Sequence, residues 1–241
     1  MARSAGIISI TFEALEERAL KAVREGHCTP GEPVPPLYCI LPGGGIESTI
    51  KEQHACLSWL DAQPSRSVVY MNFGSVGKVS ANQLKETAIG LEKRGVRFLW
   101  VVRNPIAEVL NHDSVGGFAT HCRWISVLES LSAGVPMLAW PLYAEQRLNM
   151  AALVEMKLPL SIKQSYDGYV SATELEERVN ELMNSEKGKA IGERAMVMKE
   201  AAAEVTKDGG SSRIAIAQLV ESFKLKQIQN MLNLHHKLLS K

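Results

Sequence analysis

The sequence predicts an α/β fold built on a parallel sheet. Three observations carry this expectation. Short β-branched or aromatic runs alternate with longer stretches of helical periodicity, as at residues 67–102. Glycine-bearing corners join them. Polar residues gather just after the strand patterns, where ligands sit in open α/β sheets. The 241 residues suffice for one large domain, or one domain with appendages. At 46% hydrophobic and 22% charged the composition is that of a globular protein. A net charge of +1 gives no overall field to attract nucleic acid, so no nucleic-acid partner is expected. No apolar run reaches the length of a membrane span, and the N-terminus lacks the apolar core of a secretory signal. Cys28, Cys39, Cys56 and Cys122 are scattered without metal-type spacing. They suit a reduced cytoplasmic protein, with a bridge left open.

Taken in order, residues 6–11 read as a strand and residues 12–23 as a helix. Residues 26–46 break the pattern: half of the ten prolines lie between Pro30 and Pro42, followed by Gly43, Gly44 and Gly45. With no strand directly before it, the triple glycine reads as a turn rather than a phosphate loop. Residues 53–60 form a short helix. Residues 67–73 form a strong strand closed by Gly74 and Ser75. Ser80 can cap a helix over 81–94 whose apolar face includes Leu84, Ala88 and Leu91, and residues 97–102 return as a strand. This β-α-β unit is expected to be right-handed.

The densest chemistry lies in residues 111–146. A strand over 115–120 leads into the polar stretch 121–126, a helix follows through Leu128 and Leu131, and a strand over 136–140 ends at Ala144, Glu145 and Gln146. The amides of Trp124, Ile125 and Ser126 would open the helix, where unpaired N–H groups and the dipole favour an anion. Ser126 and Glu129 have capping-box spacing. They either cap the helix or hold a diphosphate and sugar hydroxyls. Beyond lie a helix over 144–156, a strand over 157–162, and a capping-box pair, Ser171 and Glu174, before a helix over 172–183. Helices over 188–206 and 211–223 follow, broken at Gly209 and Gly210. Residues 222–241 contain no acidic side chain. They read as a frayed extension, with a membrane-surface helix as the other option.

The string Thr120-His121-Cys122-Arg123-Trp124-Ile125-Ser126, with Glu129, Gly134-Val135-Pro136-Met137, Trp140-Pro141 and Ala144-Glu145-Gln146, closely resembles the signature box of plant family-1 UDP-sugar glycosyltransferases. A match of this length is far more specific than a lone glycine motif. The resemblance implies a GT-B fold, of which this chain is the C-terminal, UDP-sugar-binding Rossmann-like half. Residues 1–25 would be a remnant of the acceptor domain, 26–52 a linker, 53–223 the donor domain and 224–241 a basic tail. Residues 68–77, 98–105 and 140–149 most resemble members that glucosylate flavonoids and chalcones. The implied reaction moves glucose from UDP-glucose to a flavonoid or small-phenolic hydroxyl with inversion, and needs no cofactor or metal. By resemblance, His121 contacts the diphosphate and Ser75 lies near it. Trp124 approaches the sugar through its backbone, and Ser126 binds the α-phosphate. Glu129 binds the ribose, and Glu145 and Gln146 hold the sugar hydroxyls. The plainer readings are a satisfied strand-end histidine, a core tryptophan, a local cap and a solvated helix start.

Four positions depart from the family pattern. Arg103 stands for the tryptophan that stacks on uracil and Ile106 for the glutamine that binds it. Arg123 stands for a glycine, where a left-handed or closely approached backbone is expected. Ile125 stands for a phosphate-binding asparagine. A few dozen residues, including one strand, also appear deleted near residue 105, which threatens the sheet. The family's catalytic histidine–aspartate pair lies in its N-terminal domain and has no match here, so no catalytic residue is assigned. The chain alone is expected to be inactive or nearly so. The rival expectation is a non-catalytic module that binds a UDP-sugar or a partner chain. A nicotinamide oxidoreductase ranks last, because no Gly-x-Gly-x-x-Gly follows a first strand.

Overall fold

A computed structural model of the chain describes residues 4–42, 55–74, 79–93, 95–101 and 107–239. They fall into two compact units, Met1–Gly43 with Ala201–Lys241, and Gly44–Glu200.

The first unit pairs two short parallel strands, β1 (Ile7–Ser9) and β2 (Leu37–Cys39), around helix α1 (Glu13–Arg24). A two-point ion pair from Arg24 to Glu13, both contacts at 2.7 Å, ties the ends of α1 together. Strand β2 lies inside the stretch read as a linker. Pro35 and Pro36 hold the chain extended ahead of β2, and a proline just before a strand costs the ladder no donor. The carbonyl of Pro36 accepts from the amide of Ile7 at 2.8 Å. The long C-terminal helix of this unit, Ser211–Leu239, is continuous, so its last turns are not the frayed extension expected. Residues 211–239 contain neither glycine nor proline and are rich in Leu, Lys, Gln and Met, all good helix formers. The hydroxyl of Ser212, buried, accepts from the amide of Leu41 and donates to its carbonyl.

The second unit is a doubly wound sheet. Its strands are β3 (Val68–Asn72), β4 (Arg97–Val101), β5 (Val115–Thr120), β6 (Met137–Ala139) and β7 (Pro159–Ser161). All are parallel, in the order β4-β3-β5-β6-β7. Helices α2 (Ala55–Asp61), α3 (Ala81–Glu92), α4 (Trp124–Ala133), α5 (Gln146–Glu155), α6 (Ala172–Asn184) and α7 (Glu186–Thr206) alternate with the strands or follow them. One sheet face buries Val69, Met71, Ala119, Leu138 and Leu160 against Leu91 of α3 and Leu175, Val179 and Leu182 of α6. On the other, Tyr70 and Phe118 stack at 5.2 Å. Gln83 binds both the amide and the carbonyl of Val170 at 2.8 Å, which holds the segment before α6 against α3. Ser80 and Ser171 cap α3 and α6 as expected. The carboxylate of Glu174 does not complete a capping box; it accepts from the amide of Lys163 instead.

The strand order explains why the sheet stands despite the shortened segment. It is the common doubly wound order 3-2-1-4-5-6 without its outermost member. Among the described residues no strand lies beyond β4. The loss therefore falls on an edge, and only β4 loses a neighbour. Residues of β4 are exposed or half-buried, whereas every residue of β3 and β5 is buried.

Gly116, in β5, passes so close to Arg66 that a Cβ would fall 2.2 Å from its carbonyl oxygen. Gly116→Ala is expected to lower stability by about 1–3 kcal/mol, the usual cost of overpacking. A urea titration of the two proteins measures it.

Candidate donor-binding site

Strands β3 and β5 are adjacent, but the chain leaves β3 in one direction and reaches β5 in the other. A crevice opens at such a switch point, beyond the carboxyl ends of both strands. Two corners meet there. The corner after β3 is Gly74, at φ +72°; its amide donates to Asn72 Oδ1 at 2.7 Å. Asn72 Nδ2 in turn donates to the hydroxyl of Tyr70 at 3.2 Å. The corner after β5 carries His121, only 1% exposed. A Cβ on Gly74 would lie 2.9 Å from His121 Nε2, so the imidazole fills the space that the glycine leaves. Among the described residues neither ring nitrogen of His121 makes a hydrogen bond of good geometry, although the Asn72 backbone lies close enough to act on the ring. Buried polar groups are nearly always paired, so the ring keeps hydrogen-bonding capacity that the described residues use poorly.

The next residue makes the turn into α4. Cys122 adopts φ +63°, and its carbonyl accepts from Asn149 Nδ2 of α5 at 3.0 Å. Arg123 was expected to strain the backbone where the family has glycine. Instead it is extended (φ −66°, ψ 137°), and the left-handed residue is the preceding cysteine. Arg123 is the N-cap of α4 and makes no side-chain cap. The capping-box reading of Ser126 and Glu129 falls here: Ser126 is the third residue of the helix, not its cap. The first helical bond runs from the amide of Val127 to the carbonyl of Arg123. The amides of residues 124–126 thus precede the ladder and open the helix beside His121.

The charges around this opening are tuned mainly by burial. Loss of solvation pulls the His121 imidazole below its ordinary value, partly offset by the nearby Asn72 backbone; the Arg123 cation lowers it further and Glu145 raises it. At neutral pH the ring is uncharged. Glu129 keeps an exposed surface, yet desolvation raises its carboxyl above the usual carboxylate range. Burial pushes the Tyr70 phenol up to about 12; its bond to Asn72 works against this and the charge of Glu129 adds to it. Burial likewise pushes the Cys122 thiol up to about 12, so it is an inert packing group.

The second polar cluster is divided. Glu145 is exposed at the start of α5. Gln146, expected to hold a sugar hydroxyl, is fully buried. Its Oε1 accepts from the amides of Leu142 and Tyr143 at 2.8 and 3.0 Å, bracing the loop after β6. Loop amides with no strand to pair with need an acceptor, and the glutamine supplies it. Its Nε2, like Trp140 Nε1, is buried without a partner among the described residues. Trp124 is half-buried, and Ile125 is 45% exposed in the first turn of α4. Ser75, Arg103 and Ile106 lie outside the described residues. Asn72 and Asn149, which fix the two corners, were not singled out from the sequence. The only signal for either was a polar side chain at a strand end or in a first helical turn.

The family model for UDP-glucoronosyl and UDP-glucosyl transferase matches residues 101–201, the stretch that contains both corners of α4 and the loop after β6. Residues 101–201 thus resemble that family. The chain is 45% identical to an anthocyanidin 5,3-O-glucosyltransferase of a Rosa hybrid cultivar, covering 94% of this chain and 56% of the relative. It is 46% identical to isoflavone 7-O-glucosyltransferase 1 of Glycine max, covering 93% and 54%. The Phytolacca americana UGT2 structure, complexed with UDP-2fluoro-glucose and pterostilbene, superposes with a TM-score of 0.80 at 38% identity, over 91% of this chain and 53% of that one. A UDP-glucosyltransferase from Polygonum tinctorium capable of glucosylating indoxyl gives 0.83 at 35% identity, over 92% and 55%. The chain spans about half the length of the relatives it matches. The alignment with the rose glucosyltransferase runs over 263 residues, more than the 241 of this chain, so the relative carries an internal stretch with no counterpart here.

The depressed imidazole of His121 links stability to pH. Unfolded, His121 takes up a proton near pH 6.5; folded, it does so only at lower pH. The unfolded state therefore binds more protons, and stability is lost as pH falls through about 6.5. His121→Asn is expected to flatten that slope between about pH 7.5 and 5.5. Urea midpoints across this range measure it; equal slopes in both proteins would show an ordinary imidazole.

Proposed function

We propose that the chain is the donor-binding part of a cytoplasmic family-1 glycosyltransferase, one that holds UDP-glucose for transfer, with inversion, to a flavonoid or small-phenolic hydroxyl. The observation that carries this is the buried, poorly paired His121 beside the uncapped start of α4, at the sheet's switch point. Glycosyl transfer from a nucleotide sugar requires neutralising the diphosphate as it leaves. Neutral His121 donates an N–H, and the α4 amides add donors and the positive end of the helix dipole. Ser126 reaches the α-phosphate, Glu129 accepts from the ribose and Glu145 from the sugar. Trp124 faces the sugar through its backbone. No metal, cofactor or nucleic acid enters this reading. The names of the rose and soybean relatives support a flavonoid acceptor and glucose as the sugar. The Phytolacca structure, with a UDP-sugar analogue bound, supports the donor class.

Two features make residues 1–241 alone a binder rather than a catalyst in this reading. Ile125 offers no polar contact from an exposed first-turn position, and a lost hydrogen bond to a charged group costs roughly 1.5–3 kcal/mol. The base that would deprotonate the acceptor is placed by the resemblance in the half of the relatives that this chain does not match. Among the described residues no helix is long and apolar enough to cross a membrane.

Isothermal titration of the chain with UDP is expected to show binding at least about tenfold tighter than with uridine, since each charge-assisted bond to the diphosphate contributes about 1.5 kcal/mol or more. Incubation with UDP-glucose and a flavonol is expected to give no glucoside. Absence of UDP binding would overturn the donor reading. Glucoside formation would overturn the inactivity.

A further inference from the structure

The family pattern has glycine where this chain has Arg123, and asparagine where it has Ile125. The two replacements lie within one turn of each other at the mouth of the same helix. Ile125 puts an apolar side chain, 45% exposed, where the first turn of α4 would meet an anion. Arg123 puts a permanent cation one residue before that helix. Its backbone is relaxed, and its side chain does not cap α4. Among the described residues it makes no ion pair, and it is exposed. Its position is fixed from both sides: the left-handed Cys122 before it is latched to Asn149, and the ladder of α4 begins on its own carbonyl. As the N-cap residue, two positions after His121, Arg123 carries its charge at the opening of the crevice. Glu145, exposed at the start of α5, acts on His121 with the opposite sign.

We propose that Arg123 is a phosphate-binding residue of this site, its guanidinium closing on the diphosphate held by the α4 amides and His121. The proposal rests on the donor reading above and adds a ligand to it. A guanidinium presents paired donors that match two phosphate oxygens, and it is charged at every pH at which the protein is folded. Because His121 is neutral in the empty site, Arg123 is the full positive charge there. It replaces in charge what Ile125 removes in hydrogen bonding. Nucleoside diphosphates are favoured over nucleosides, and binding weakens with salt, because an exposed cation is screened.

The test is titration of UDP and uridine into the wild type, Arg123→Gly and Arg123→Lys at low and high ionic strength, with the His121 imidazole followed by NMR. Glycine at an N-cap costs only a few tenths of a kcal/mol, so the variant is expected to fold. Arg123→Gly is expected to bind UDP about tenfold more weakly, with uridine unchanged, a flatter salt dependence and a His121 pKa that rises as the neighbouring cation goes. Arg123→Lys is expected to fall between the two. UDP binding that is unchanged or tighter in Arg123→Gly would overturn the proposal and mark the side chain as a bystander or an obstruction, leaving the donor reading intact. A wild type that binds no UDP would overturn both.

Discussion

The imidazole of His121 and the missing side chain of Gly74 occupy the same space, and much of the site follows from that. Gly74 is required twice over: its φ of +72° is one that side chains resist, and a Cβ there would meet the ring at 2.9 Å. Asn72 holds the corner by accepting from the Gly74 amide, and it is held in turn by the hydroxyl of Tyr70 stacked on Phe118. A buried chain of polar groups therefore runs from the core face of β3 to the wall of the crevice. The last member, His121, makes no hydrogen bond of good geometry among the described residues. Moving β3 against β5 would break this arrangement. Their register, Asn72 beside Thr120, sets where His121 stands.

The same register explains the tolerance of the fold. A parallel sheet is most vulnerable in its middle, where a strand supports two ladders. Here the middle strands β3 and β5 are wholly buried, and among the described residues β4 is the edge strand. The core on that side closes with aromatic rings: Phe73 meets Trp100 at 6.3 Å and Trp140 at 5.0 Å, both edge to face. These rings join β4, the corner after β3 and the end of β6 without needing a further strand. The expectation that a lost strand would threaten the sheet treated all strands alike, and position in the order decides the matter.

Most of the sheet was legible because its strands are short apolar runs between glycine corners, and because helices α3 and α6 announce themselves with serine caps. Legibility failed where one residue type serves two conformations. Prolines at 35 and 36 mark a linker in composition, but an extended backbone is also what a strand needs, and β2 forms there. The spacing of Ser126 and Glu129 fits a cap, but the helix starts two residues earlier, because the left-handed turn is made by a cysteine and not by the residue in the glycine position. Gln146 looks like a ligand-facing amide at a helix start. The unpaired amides of Leu142 and Tyr143 claim its oxygen, and no sequence pattern reveals that demand.

The electrostatics of the empty site bear on how it would be used. Desolvation leaves His121 neutral and holds Glu129 above the ordinary carboxylate range, so the crevice penalises charge of either sign until a partner arrives. A diphosphate brings its own charge, which favours the imidazolium, while the helix amides donate without any change of protonation. In the proposed complex a permanent cation at Arg123 would meet that charge alongside the imidazole. With glycine in its place, the charge of the anion would fall on His121 and the helix dipole alone. In the proposed reading, the pair of replacements, arginine for glycine and isoleucine for asparagine, exchanges a neutral side-chain hydrogen bond for a charged, two-pronged contact that salt screens.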